Sequence, residues 1–124
     1  KAINNISSKL KKGGLFLMCE SSIDGLNNIN TERIKFDLDH IEMPWHNNYI
    51  DDKKLNSELD NIDLKLIETN NFSSTYYFLS RIIYANYAKV NNEDIKYDSL
   101  INKMSIKLPS LGNFSQTKIW VWKK

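Results

Sequence analysis

The run Leu10-Lys11-Lys12-Gly13-Gly14-Leu15-Phe16-Leu17-Met18-Cys19-Glu20 constrains the fold more than any other stretch. A charged helix end meets two glycines, then a wholly apolar segment, then a carboxylate. Paired glycines suit a helix C-terminus, where one residue must take positive φ. Leu15 to Cys19 lacks polar alternation, which predicts a strand buried on both faces, as in parallel or mixed sheets with helices on each side. Ligands of such sheets sit beyond the carboxyl ends of the strands. Glu20-Ser21-Ser22 holds that position.

The rest of the chain reads as an α/β pattern. Ala2, Ile3, Ile6 and Leu10 are spaced as the last turns of an amphipathic helix. Residues 21–50 have weak periodicity. Asp24-Gly25 signals a turn, Asn30 or Thr31 could cap a short helix running through Arg33 and Phe36 to Ile41, and Pro44 disfavours helix at Met43. Asp51 or Asp52 caps a short helix through Leu55 and Leu59, and Asp63 to Thr69 alternates like a strand. Ser73 or Ser74 opens a strong helix carrying Tyr76, Leu79, Ile82, Ile83 and Tyr87. A helix over 97–108 turns Leu100, Ile101, Met104 and Leu108 inward. Lys118-Ile119-Trp120-Val121-Trp122 is a last apolar strand, with the two tryptophans on one face.

At 124 residues the chain is a single domain spanning 1–124. It starts in mid-helix without Met, which predicts a piece of something longer. A net charge of +2 argues by itself neither for nor against nucleic acid, but the interspersed signs disfavour the basic, aromatic groove that an RNA substrate needs, so no nucleic-acid partner is expected. The only cysteine, Cys19, cannot close an internal disulfide and reads as a small buried hydrophobe in a reducing, cytoplasmic setting. No apolar run reaches the ~20 residues of a membrane span. Neither a Gly-rich dinucleotide fingerprint nor a P-loop occurs.

The step Ile6-x-x-x-Leu10-Lys11-Lys12-Gly13-Gly14-Leu15-Phe16-Leu17-x-x-Glu20 resembles the helix-to-fifth-strand step of class I S-adenosylmethionine-dependent methyltransferases. Lys12 stands where that family often has Pro. Asp63 to Thr69 is similar to the family's sixth strand, and Lys118 to Trp122 to its seventh. Glu20, Asp24-Gly25-Leu26, Asn30, Arg33 and Pro44-Trp45-His46-Asn47-x-Tyr49 resemble methyltransferases of bacterial small-molecule or polysaccharide pathways. The resemblance implies the C-terminal half of a Rossmann-like fold, as a mixed sheet with the last strand antiparallel between the other two and helices packed on it. It also implies S-adenosylmethionine as cofactor, bound mainly by residues missing from this chain, and a small-molecule, sugar or lipid-linked acceptor.

Methyl transfer from a sulfonium needs alignment, an aromatic-lined acceptor pocket and sometimes a base. Glu20 and His46 are the base candidates; their plainer roles are a loop or helix cap and a hydrogen-bonded structural imidazole. Asn30 and Arg33 could grip an acceptor's hydroxyls or anionic groups, or could simply fasten loops. Trp45, Asn47 and Tyr49 would line the acceptor side. Tyr77 and Arg81 share a helix face at i, i+4 and could form another wall. The spacing of Asp37, Asp39, His40, Glu42 and His46 fits no standard zinc pattern. The alternative reading is a non-enzymatic α/β interaction module, a homodimer paired through the exposed edge of the Leu15 strand.

Overall fold

The computed structural model describes residues 2–59, 62–95 and 99–124. Its centre is the C-terminal strand. Strands β1 (Leu15–Ser21), β2 (Lys65–Phe72) and β3 (Thr117–Lys123) form one sheet in the order β1-β3-β2, with β3 antiparallel to both neighbours. The expected middle position of the last strand is therefore found. Every neighbouring pair is antiparallel, because β1 and β2, which run in the same direction, do not touch.

Trp120 and Trp122 lie two residues apart on β3, so both project from one face, where they are buried. Phe16 stacks on Trp122 with ring centroids 5.1 Å apart. Helix α1 (Ala2–Lys9) adds Ile3 to this layer, and α3 (Asp52–Leu59) adds Leu55 and Leu59. Asp51 Oδ1 caps α3 by accepting the N–H groups of Lys53 and Lys54 at 2.8 and 3.1 Å. Gly13, at φ +82°, turns the chain from α1 into β1.

The second core lies between α2 (Ile23–Lys35) and a long helix made of α4 (Ser74–Phe78), a π segment (Leu79–Ile83) and α5 (Tyr84–Asn91). Ile29 of α2, Ile82 of the π segment, and Ala85 and Ala88 of α5 are buried here, and α2 packs against the π segment. The π segment carries an extra residue per turn and rotates the helix face. Ala85 and Ala88 consequently point inward, while Ile83 and Tyr87, expected inside, are exposed. Helix α6 (Ser99–Lys107) follows; Tyr97, where the helix was expected to begin, lies outside the described residues.

The structure corrects several expectations. The face opposite Trp120 is open along β1, while Ile119 and Val121 of β3 are half-buried on it. Leu15 is 51% and Leu17 63% exposed there, and Cys19 is exposed rather than buried. Residues 23–35 are helical through Asp24-Gly25, where a turn was expected. Ser22 caps that helix, and Gly25 lets its first turn press on the backbone of Ser115. Asn30 and Thr31 are therefore inside a helix, and His40 sits in the irregular stretch after it. Leu100, Met104 and Leu108 are exposed, not inward.

Candidate functional site

The carboxyl end of β1 gathers three segments. Ser22 accepts the Gly25 N–H at 3.3 Å through its hydroxyl and starts α2. Beside it Ile50 forms a parallel bridge: its N–H donates to the Ser21 carbonyl at 2.7 Å, and its carbonyl accepts from Ile23 at 3.0 Å. This bridge brings the aromatic insert to the strand end. Tyr49, Ile50, Ile23, Lys54 and Glu58 line a cleft of about 570 Å³ there, a size that suits a small molecule.

On the tryptophan face, Asp52 holds the strand end together. One carboxylate oxygen accepts the Trp120 indole N–H at 3.0 Å, and the other pairs with Lys118. The Lys118 ammonium also lies 5.5 Å from the Trp120 ring centroid. Asp24 projects from the first turn of α2 toward this group. Its pKa is raised, first by burial and then by the charge of Asp52 and a hydrogen bond to it. A carboxylate held above its usual range is a stronger base than a free one. Asp24, Asp52 and Lys118 were not among the candidates from the sequence. Asp24 reads there as half of a turn signal and Asp52 as a cap, and only the two-residue spacing of Lys118 and Trp120 hints that they share a face.

The sequence candidates fall into three groups. Glu20 stands opposite Lys118 in the β1–β3 ladder with an exposed side chain. Tyr77 reaches the same end from α4, with its hydroxyl 3.2 Å from Thr117 Oγ1, and Thr117 is the ladder partner of Ser21. Tyr49 lines the cleft. These three lie around the carboxyl end of β1.

Asn30, Arg33 and Arg81 instead fasten the insert. Asn30 donates to the Ile41 carbonyl at 3.0 Å and accepts the Ile41 N–H at 2.8 Å. Buried Arg33 donates to the Asp39 carbonyl at 2.7 Å and to the Arg81 carbonyl in the π segment. Arg81 thus enters this network through its backbone.

Trp45, His46 and Asn47 form the third group, a turn closed by Asn47 N–H donating to the Pro44 carbonyl at 3.0 Å. Trp45 and His46 meet edge to face at 5.4 Å, and Trp45 is 95% exposed.

The residues of this chain do not fit a cradle for S-adenosylmethionine. Gly13 and Gly14 lie at the amino end of β1, away from the site. Ser115 fills the space a side chain on Gly25 would need, and Phe114 fills that of Gly112. Among the described residues, no helix is long and apolar enough to cross a membrane. The chain matches no protein-family model and no curated protein sequence.

Proposed function

We propose that the chain supplies the acceptor-side half of a class I S-adenosylmethionine-dependent methyltransferase with a small-molecule, sugar or lipid-linked acceptor. The observation that carries this reading is the strand order β1-β3-β2 with the final strand antiparallel in the middle. It is the arrangement implied by the Gly-Gly-strand-Glu resemblance. The cleft at the carboxyl end of β1 is the second argument for it.

On this reading the cofactor is held by residues outside the chain. The chain's own task is to receive the acceptor between Tyr49 and the end of β1. Glu20 or Asp24 takes the proton that the acceptor loses on methylation. Trp45 and His46, on their exposed turn, add an aromatic surface for the acceptor. Calorimetric titration of S-adenosylmethionine into the longest natural polypeptide containing this chain tests the reading. Absence of binding rejects it.

A further inference from the structure

We propose that the hollow beyond the carboxyl end of β2 is a binding site for a neutral saccharide. It has a volume of about 480 Å³ and is walled by the end of β2 with the first residues of α4, by one face of α6, and by the chain after α6. That size suits a small ligand.

The lining carries no charge. Asn70 and Asn71 come from β2, and Asn102, Ser105 and Ile106 from α6. The last three are spaced i, i+3, i+4 and share a helix face, whereas Lys103 and Lys107 of the same helix fall outside the pocket. None of the twelve lining residues is acidic or basic, in a chain where 26% of residues are charged. The acceptor cleft beside β1 differs in this respect, since Asp51, Lys54 and Glu58 line it.

Hydrogen-bonding capacity is left open. Among the described residues, no hydrogen bond engages the side-chain amides of Asn70, Asn71 and Asn102 or the Tyr76 hydroxyl. Ser73 adds a hydroxyl that makes no cap bond, on a backbone held at φ +59°, a region that residues with a Cβ rarely adopt. A side-chain amide offers donors and an acceptor side by side, which matches two neighbouring hydroxyls. Phe72 is exposed and Tyr76 half-buried, and their rings give the C–H face of a sugar a surface to pack on.

The wall is set in advance. Buried Ser74 donates to the Leu111 carbonyl at 2.6 Å and accepts the Phe114 N–H at 2.9 Å. Buried Thr75 donates to the Pro109 carbonyl at 2.7 Å and accepts the Leu111 N–H at 2.9 Å. These bonds fix the start of α4 against the chain that carries Ser110. A preorganised site gives up less freedom on binding.

Other ligand classes fit this lining less well. An anion finds no cation in it, and a metal ion finds no carboxylate. An apolar ligand leaves the three amides covered and unpaired. An extended peptide needs a straight strand edge, and β2 is bent by a bulge between Leu66 and Glu68.

The inference goes beyond methyl transfer and does not rest on it. Thr117 pairs with Ser21 on one side and with Phe72 on the other. The ends of β1 and β2 therefore lie two strand spacings apart, about 10 Å, and the saccharide site is separate from the cleft beside Tyr49.

Saturation-transfer NMR and calorimetry on the longest natural polypeptide containing this chain are the test. The probes are maltose, cellobiose, lactose and mannobiose, each up to about 20 mM, which covers millimolar affinities. At least one is expected to bind. Asn102 is exposed and alanine favours helix, so Asn102→Ala keeps the fold and should weaken that sugar about tenfold through the lost amide bonds. Phe72→Ala should weaken it as well. Lys103→Ala, on the same helix but outside the pocket, should leave the affinity unchanged, and circular dichroism verifies the fold of each variant. Binding of none of the four sugars, unchanged affinity in Asn102→Ala, or an equal loss in Lys103→Ala overturns the proposal. S-adenosylmethionine titrated into the same samples reads the methyl-transfer proposal separately, and its failure to bind leaves the sugar result standing.

Discussion

A side chain on Gly25 would place its Cβ 1.6 Å from the carbonyl oxygen of Ser115. The first turn of α2 lies directly on the segment that leads into β3, and only glycine permits the approach. Gly25→Ala must push the two backbones apart. A loss of about 3 kcal/mol is expected, at the upper end of overpacking costs, read as a lower urea midpoint with an unchanged slope.

The same contact shows why part of the fold escapes the sequence. Asp24-Gly25 has the composition of a turn, and nothing local reveals that a backbone 90 residues later requires the glycine inside a helix. The strands were legible because their signals are local: paired glycines, unbroken apolar runs and the Trp120–Trp122 spacing. Burial of β1 was not, since an apolar strand looks the same whether or not a layer covers its second face. Leu17 and Cys19 are exposed for that reason. The π segment also leaves no pattern of its own, so the phase of the long helix beyond Ile83 differs from the one its apolar spacing predicts. At the carboxyl end of β1, Glu20 and Tyr49 stand out by their neighbours in sequence, whereas Asp24 and Asp52 become partners only through folding.

Asp52 ties α3 to β3 by accepting from Trp120 and pairing with Lys118, with side chains only 20% and 12% exposed for Asp52 and Lys118. Asp52→Ala leaves the ammonium and the indole N–H without this acceptor. The expected cost is about 2–3 kcal/mol. Asp52→Asn keeps an oxygen for Trp120 and should cost less. Denaturant titration of both variants, with tryptophan fluorescence as the signal, checks the order.

Asp24 sets a pH dependence of definite sign. Burial and the neighbouring Asp52 raise its pKa in the folded state, so the native chain holds the proton more tightly than the unfolded one. Its contribution to stability is therefore greatest at low pH and declines as pH rises from about 4 through the folded pKa. Asp37 acts in the opposite sense: the hydrogen bond from Lys89 and its charge lower the Asp37 pKa, and the stabilisation is lost as pH falls through that lowered value. Asp24→Asn should flatten the decline above about pH 4 in urea midpoints measured against pH, leaving the acid-side loss in place.

Arg33 joins three segments, since its guanidinium donates to Asp39 in the insert and to Arg81 in the π segment. Arg33→Met keeps much of the volume but removes those donors. Stability should fall by about 2–4 kcal/mol, and amide exchange should accelerate around Asp39 and in the π segment before it does in β3. Equal acceleration everywhere would mean that Arg33 supports the whole fold rather than this junction.

Trp45 separates an acceptor role from a structural one because it is 95% exposed. An exposed side chain contributes little to folding, so Trp45→Ala should leave the urea midpoint within about 0.5 kcal/mol of wild type. If its ring forms part of the acceptor surface, methyl transfer by a longer polypeptide carrying the substitution should show a higher KM for the acceptor and unchanged affinity for S-adenosylmethionine. His46→Gln on the same turn provides the comparison. A base lost at this position lowers kcat most steeply at low acceptor acidity, whereas a stacking partner lost beside Trp45 raises KM alone. If both variants turn over the acceptor at wild-type rates and KM, the turn is outside the site, and the acceptor surface reduces to Tyr49, Glu20 and Asp24 around the end of β1.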